Sequence, residues 1–121
     1  MKNKVKCGIL VRGGLQHERH MTRSVIIWCM DHFNLDVHTT KIDVTLEVMT
    51  DCNGTCVDND EGGYDITISI NQTLRDFVAT IVHEMVHLKQ YVTGEWQGNG
   101  EKECDELQYV LADKIWNEGI L

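Results

Sequence analysis

The stretch His83-Glu84-Met85-Val86-His87 is an H-E-x-x-H arrangement set inside a run whose apolar spacing is that of an amphipathic helix. On a helix, residues four apart lie on one face. Both imidazoles can therefore hold one Zn2+, while Glu84 beside them takes the proton of a water that the metal activates. A zinc site that does chemistry also needs a third protein ligand and an open position. Downstream, Glu95, Glu101, Glu103, Asp105 and Glu106 offer carboxylates.

Helix phase discriminates among them. The last helical pattern, about residues 101–117, sets its inward face with Cys104, Leu107, Leu111 and Ile115, with Gln108 and Ala112 beside them. Glu101 lies one turn before Cys104 and Asp105, close to the centre of this arc. Glu103 lies near its edge and Glu106 points away. A ligand must face the motif helix, so phase selects Glu101, with Glu103 and Glu106 as the alternatives. The competing account of Glu101 is a helix-start carboxylate that complements the helix dipole. Asp105, one turn on, is a candidate acceptor that orients a ligand imidazole.

These residues need elements to carry them. Leu74, Phe77, Val78, Ile81, Met85, Leu88 and Val92 form the apolar face of the motif helix; Asp76, Thr80, His83, His87, Gln90 and Tyr91 form the opposite stripe, with Glu84 at its margin. Asn71 or Thr73 caps this helix, Asp76 stands in its first turn, and Thr93-Gly94 ends it. Upstream, Lys4–Val11 reads as a strand and His20–Phe33 as a helix. Lys41–Met49 and Tyr64–Ile70 alternate apolar and polar residues, the period of half-buried strands. Asn53-Gly54 signals a hairpin turn with a return strand at Thr55–Asp58. The last helix closes at Gly119. This gives an α+β domain with a small mixed or antiparallel sheet, an N-terminal helix, the motif helix and a C-terminal helix.

The chain's 121 residues suit a single domain, residues 1–121. A formal net charge of −8 argues against nucleic acid as the main ligand. The apolar run Gly8–Val11 is too short for a signal peptide or a membrane span, so the expectation is a cytoplasmic protein with no membrane partner. Five cysteines, an odd number, suit a reducing compartment and read as small core fillers. Cys52 and Cys56 lack the further partners of a second zinc site. His17 and His20 form a second H-x-x-H without a carboxylate to complete it; His32 and His38 read as packing or surface residues. Asp58–Gly63 reads as a hairpin connection rather than a Ca2+ loop.

With these residues in place, the chain resembles the zincin metallopeptidases, and among them the minimal gluzincin-type enzymes of phage and bacterial genomes. His83 to Tyr91, HEMVHLKQY, is similar to a stretch of small phage metallopeptidases. Glu101 to Gln108, EKECDELQ, is similar to the E-x-E-A-[ND]-x-F-A segment of ImmA/IrrE-type proteases, with Cys104, Leu107 and Gln108 departing from it. The likeness covers about residues 64–116. It implies a zincin-like fold, one Zn2+ on His83, His87 and Glu101, and peptide-bond hydrolysis with Glu84 as general base. It also implies a His or Tyr that donates to the oxyanion, for which Tyr91 is the candidate and Tyr109 the alternative, against a reading of both as packing tyrosines. A peptide substrate would add to the edge of the Tyr64–Ile70 strand. The alternative from another class is a non-catalytic zinc-binding regulatory or interaction protein.

Overall fold

Alternation decides which strand face is buried, and hydrogen bonding decides which strands are neighbours. The computed structural model describes residues 8–36 and 39–121, so Lys4–Cys7 and His38 lie outside the described residues. The elements are β1 (Ile9–Gly13), α1 (Gln16–His32), β2 (Lys41–Glu47), β3 (Gly54–Asp58), β4 (Gly63–Ser69), α2 (Leu74–Thr93) and α3 (Glu101–Asn117). They make a small mixed α+β domain with a four-stranded sheet in the order β1-β2-β4-β3. β1, β2 and β4 are parallel, and β3 is antiparallel to β4.

The inward side chains form rows across the sheet. Val11, Val44, Ile66 and Cys56 stand in register, as do Leu46, Ile68 and Gly54. The apolar members of these rows are buried, apart from the partly buried Cys56. On the other face Leu10 and Val57 are half exposed, which is how a half-covered sheet keeps the period-two pattern. α1 and α2 pack against the covered face, and α3 packs on α2. Two apolar expectations differ: Leu74 and Val92, at the ends of α2, are exposed.

The topology corrects two sequence expectations. The Asn53-Gly54 signal does not make a hairpin between β2 and β3, because β4 lies between them; the hairpin joins β3 to β4 through residues 59–62. Nor is the Tyr64–Ile70 segment an edge, since β4 is paired on both sides and β3 is the edge strand. Gly54 has another reason to be glycine. Its φ is not positive, but a Cβ there would stand 2.8 Å from Thr80 Cγ2 and 3.0 Å from Glu84 Oε2. Glycine lets the edge strand lie against the motif helix.

α1 begins a turn earlier than its apolar spacing suggests, because Glu18 accepts from the Leu15 amide at 2.7 Å and satisfies an unpaired donor at the helix start. Thr73, rather than Asn71, caps α2 by accepting from the Asp76 amide at 3.2 Å. Gly94, at φ +71, ends the helix in the left-handed conformation that glycine adopts freely.

Candidate metal centre

Two turns of α2 and the first turn of α3 bring the donors together. Across the helix pair, Glu101 Oε1 lies 3.0 Å from His83 Nε2, and its Oε2 contacts His87 Nε2. The ligand atoms of His83, His87, Glu101 and Cys104 all lie within 4.8 Å of one another. The other two carboxylates point elsewhere: Glu103 pairs with Lys89 and Gln90, and Glu106 is exposed. Cys104, read from the sequence as a core filler, is fully buried and is also the fourth potential donor.

The outward nitrogens of both imidazoles are held by glutamines. His83 Nδ1 lies 2.6 Å from Gln108 Oε1, and His87 Nδ1 lies 2.9 Å from Gln90 Oε1. The amide of Gln90 has its orientation fixed, because its Nε2 donates to Gly100 O and Glu103 Oε1, both at 3.0 Å. Its oxygen can only accept, so His87 Nδ1 carries the proton. In the neutral ring this leaves Nε2 as a lone pair facing the carboxylate of Glu101, an acceptor too. His83 Nδ1 faces Gln108 Oε1 in the same arrangement, and with that oxygen accepting, its Nε2 lone pair also turns to Glu101. A cation between the two Nε2 atoms and Glu101 satisfies all three acceptors at once, so the donor set fits a metal ion.

Asp105 does not orient His83; it stands 3.8 Å from Nδ1, beyond hydrogen-bond reach. Gln108 does so instead, because it lies one turn further along α3 on the inward side and its longer side chain reaches the ring. Both glutamines were missed as functional groups. The signal was present for Gln90, a polar residue one turn past His87 on the stripe. It is almost fully buried, an uncommon place for an uncharged amide without specific partners. The close fit extends to Gly100, at φ +81, where a Cβ would meet Gln90 Oε1 at 2.2 Å.

Glu84 is buried against β3, only 5% exposed. Burial pushes its carboxyl above the ordinary range, against the opposing pull of His83 and His87. It opens into a cavity of about 320 Å³ that it shares with His83, Glu101, Gly54 and Tyr109. The Tyr109 hydroxyl donates to Asp76 at 2.6 Å, and the guanidinium of Arg75 lies 4.3 Å over its ring. Tyr91 is elsewhere. It lines a separate hollow of about 100 Å³ with His87, Gln90, Trp96 and Asn99. A wider hollow, about 810 Å³, lies over residues 94–106 and includes none of the four clustered donors.

Cys52, expected to fill the core, is exposed, because it lies in the loop before β3 at the rim of the Glu84 cavity. Burial raises the Cys104 thiol to about 12 and pushes Cys56 up as well. His17 and His20 are exposed on α1 and join no metal-holding group among the described residues. His32, also exposed, stacks on Trp28 with ring centroids 4.8 Å apart. No described helix is long and apolar enough to cross a membrane. No protein family, curated protein or solved structure matches the chain.

Proposed function

We propose that the chain is a zinc-dependent peptidase of zincin type, with His83, His87 and Glu101 as metal ligands and Glu84 as general base. The observation that carries this reading is the convergence of the His83, His87 and Glu101 donor atoms beside a buried carboxylate, Glu84, that opens into a cavity lined by His83 and Glu101. Imidazole nitrogens and one carboxylate suit Zn2+. The metal, when bound, supplies Lewis acidity and lowers the pKa of water toward about 7. Glu84 then accepts the proton of the attacking water and passes it to the leaving amine. Its carboxylate is largely buried, and glycine at position 54 leaves room for it where a Cβ would stand 3.0 Å from Oε2. Gln90, its amide held by Gly100 O and Glu103, fixes the His87 tautomer with the Nε2 lone pair turned inward, and the Gln108 oxygen faces His83 Nδ1.

A substrate backbone docks on the free edge of β3, not on β4 as the sequence suggested, since β3 is the strand that lies against Glu84. Two variants test the reading. Glu84→Gln keeps zinc and loses hydrolysis of an unfolded protein by at least ~100-fold. Glu101→Ala loses zinc by metal analysis of the purified protein. Full zinc retention in Glu101→Ala would refute the ligand assignment.

Cys104 favours a second reading, a closed four-ligand zinc in a non-catalytic binding protein. The two readings part at Cys104→Ala. A closed site loses zinc in this variant and resists phenanthroline in the parent. An open site keeps zinc in the variant, and its turnover is sensitive to hydroxamates.

A further inference from the structure

We propose that the hollow beside His87 is a subsite for an aliphatic or methionine side chain of the substrate, N-terminal to the cleaved bond; this rests on the peptidase reading. Tyr91 stands one turn beyond His87, and Trp96 leans on it edge-on, with centroids 6.2 Å apart. Tyr64, on β4, backs Tyr91 at 5.8 Å. Tyr91 and Trp96 are 40% and 50% exposed, so two large rings face solvent at the rim of a hollow that a candidate metal ligand lines. The loop carrying Trp96 is tied down at its far end by the Gln90 bond to Gly100 O. The wall is built before any ligand arrives, which lowers the ordering cost of binding.

Size and chemistry narrow the occupant. The hollow holds about 100 Å³, room for one small side chain, and Gln90 and Asn99 line it beside His87 and the two rings. A Val, Leu or Met side chain fits, and a thioether also gains from aromatic edges. The cavity on the His83 side differs, being lined by Asp76, Glu84 and Glu101. The direction of a docked peptide follows once it adds antiparallel to β3, as β4 does on the other side. Gly54 lies against Thr80 and Glu84, while Asp58 pairs with Tyr64, whose ring meets Tyr91. A peptide added antiparallel to β3 enters at the Tyr91 end and leaves at the Gly54 end. Its residues before the scissile bond therefore face the aromatic hollow. Tyr91 thus becomes a subsite wall rather than the donor to the oxyanion.

The test uses the zinc-loaded full chain and a defined peptide mixture, with cleavage sites read by mass spectrometry. Bonds preceded by Leu, Met or Val are cut at least ~10-fold faster than bonds preceded by Asp or Lys. In Trp96→Ala, with zinc content and melting temperature checked, that ratio falls toward one. Calorimetry on Glu84→Gln with the same peptides reads binding without turnover. Cleavage with no such preference, a preference confined to the C-terminal side, or one that survives Trp96→Ala overturns the subsite and leaves the peptidase standing. If nothing is cleaved, but Glu84→Gln binds the Leu peptide selectively and Trp96→Ala does not, the hollow stands and the peptidase reading falls. If neither cleavage nor selective binding is seen, both fall.

Discussion

At the scale of single residues, two neutral amides hold the rings of the candidate metal ligands. Gln108 and Gln90 each present an oxygen to a ligand imidazole, and that contact decides which ring nitrogen is free to bind. On the proposed reading, Gln108→Leu raises the zinc dissociation constant by about 10–100-fold, read by competition with a chromophoric chelator. Gln90→Leu has a similar effect on affinity and also costs about 1–3 kcal/mol of stability, because Gly100 O and Glu103 lose a buried donor. Unchanged affinity in both variants would mean that the glutamines merely fill space. Helix phase made Glu101 legible in the sequence, since three turns of apolar residues fix which way α3 faces. It did not separate Asp105 from Gln108. That choice turns on side-chain reach, 3.8 Å against 2.6 Å, and no periodicity encodes reach.

At the scale of elements, the helices were the legible part, because their caps and periods are local. α2 rests on Thr73 at one end and Gly94 at the other. Thr73→Ala costs about 1 kcal/mol, and Gly94→Ala about 1–2 kcal/mol for a side chain in the left-handed region, both measured by urea unfolding. The contacts between α2 and α3 add a pH dependence. Hydrogen bonds from Tyr109 and Thr73 hold the Asp76 carboxyl below its ordinary 3.8, and Arg75 does the same for Asp113. A carboxyl depressed in the folded state adds stability that is complete above its unfolded value and lost as the pH falls through the folded one. The contribution of these two carboxyls to the urea midpoint is therefore flat down to about pH 5 and declines below it, and Tyr109→Phe makes the acid decline shallower. An identical acid limb in Tyr109→Phe would count against this coupling. Strand neighbours were not legible. Alternation identifies the buried face of a strand but not its partner, so Asn53-Gly54 suggested a hairpin where the structure instead brings backbone close to Glu84.

At the scale of the whole molecule, charge and topology act together. The formal net charge is −8, and a bound divalent cation offsets only part of it. The cavity on the Glu84 side carries Asp76, Glu84 and Glu101 in its lining, while the hollow on the other side of the candidate ligands is walled by Tyr91 and Trp96. Composition revealed the sign of the charge. Its placement relative to the β3 edge depends on β4 being inserted between β2 and β3, a non-local pairing that no window of sequence contains. On the proposed reading the cation offsets Glu84 and Glu101. A peptide bound along β3 then puts its C-terminal half near the remaining carboxylate, Asp76, on a chain of net charge −8, so a Lys there is attracted and a Glu repelled. The field acts on encounter before it acts on chemistry. At low ionic strength, kcat/KM for a Lys-bearing peptide exceeds that of its Glu counterpart, while kcat for the two stays similar. Raising the salt toward about 1 M shortens the screening length to about 3 Å, and the two kcat/KM values converge. Steady-state kinetics across a salt series measures this. Equal salt slopes for the two peptides would show that the negative charge lies away from the path the substrate takes.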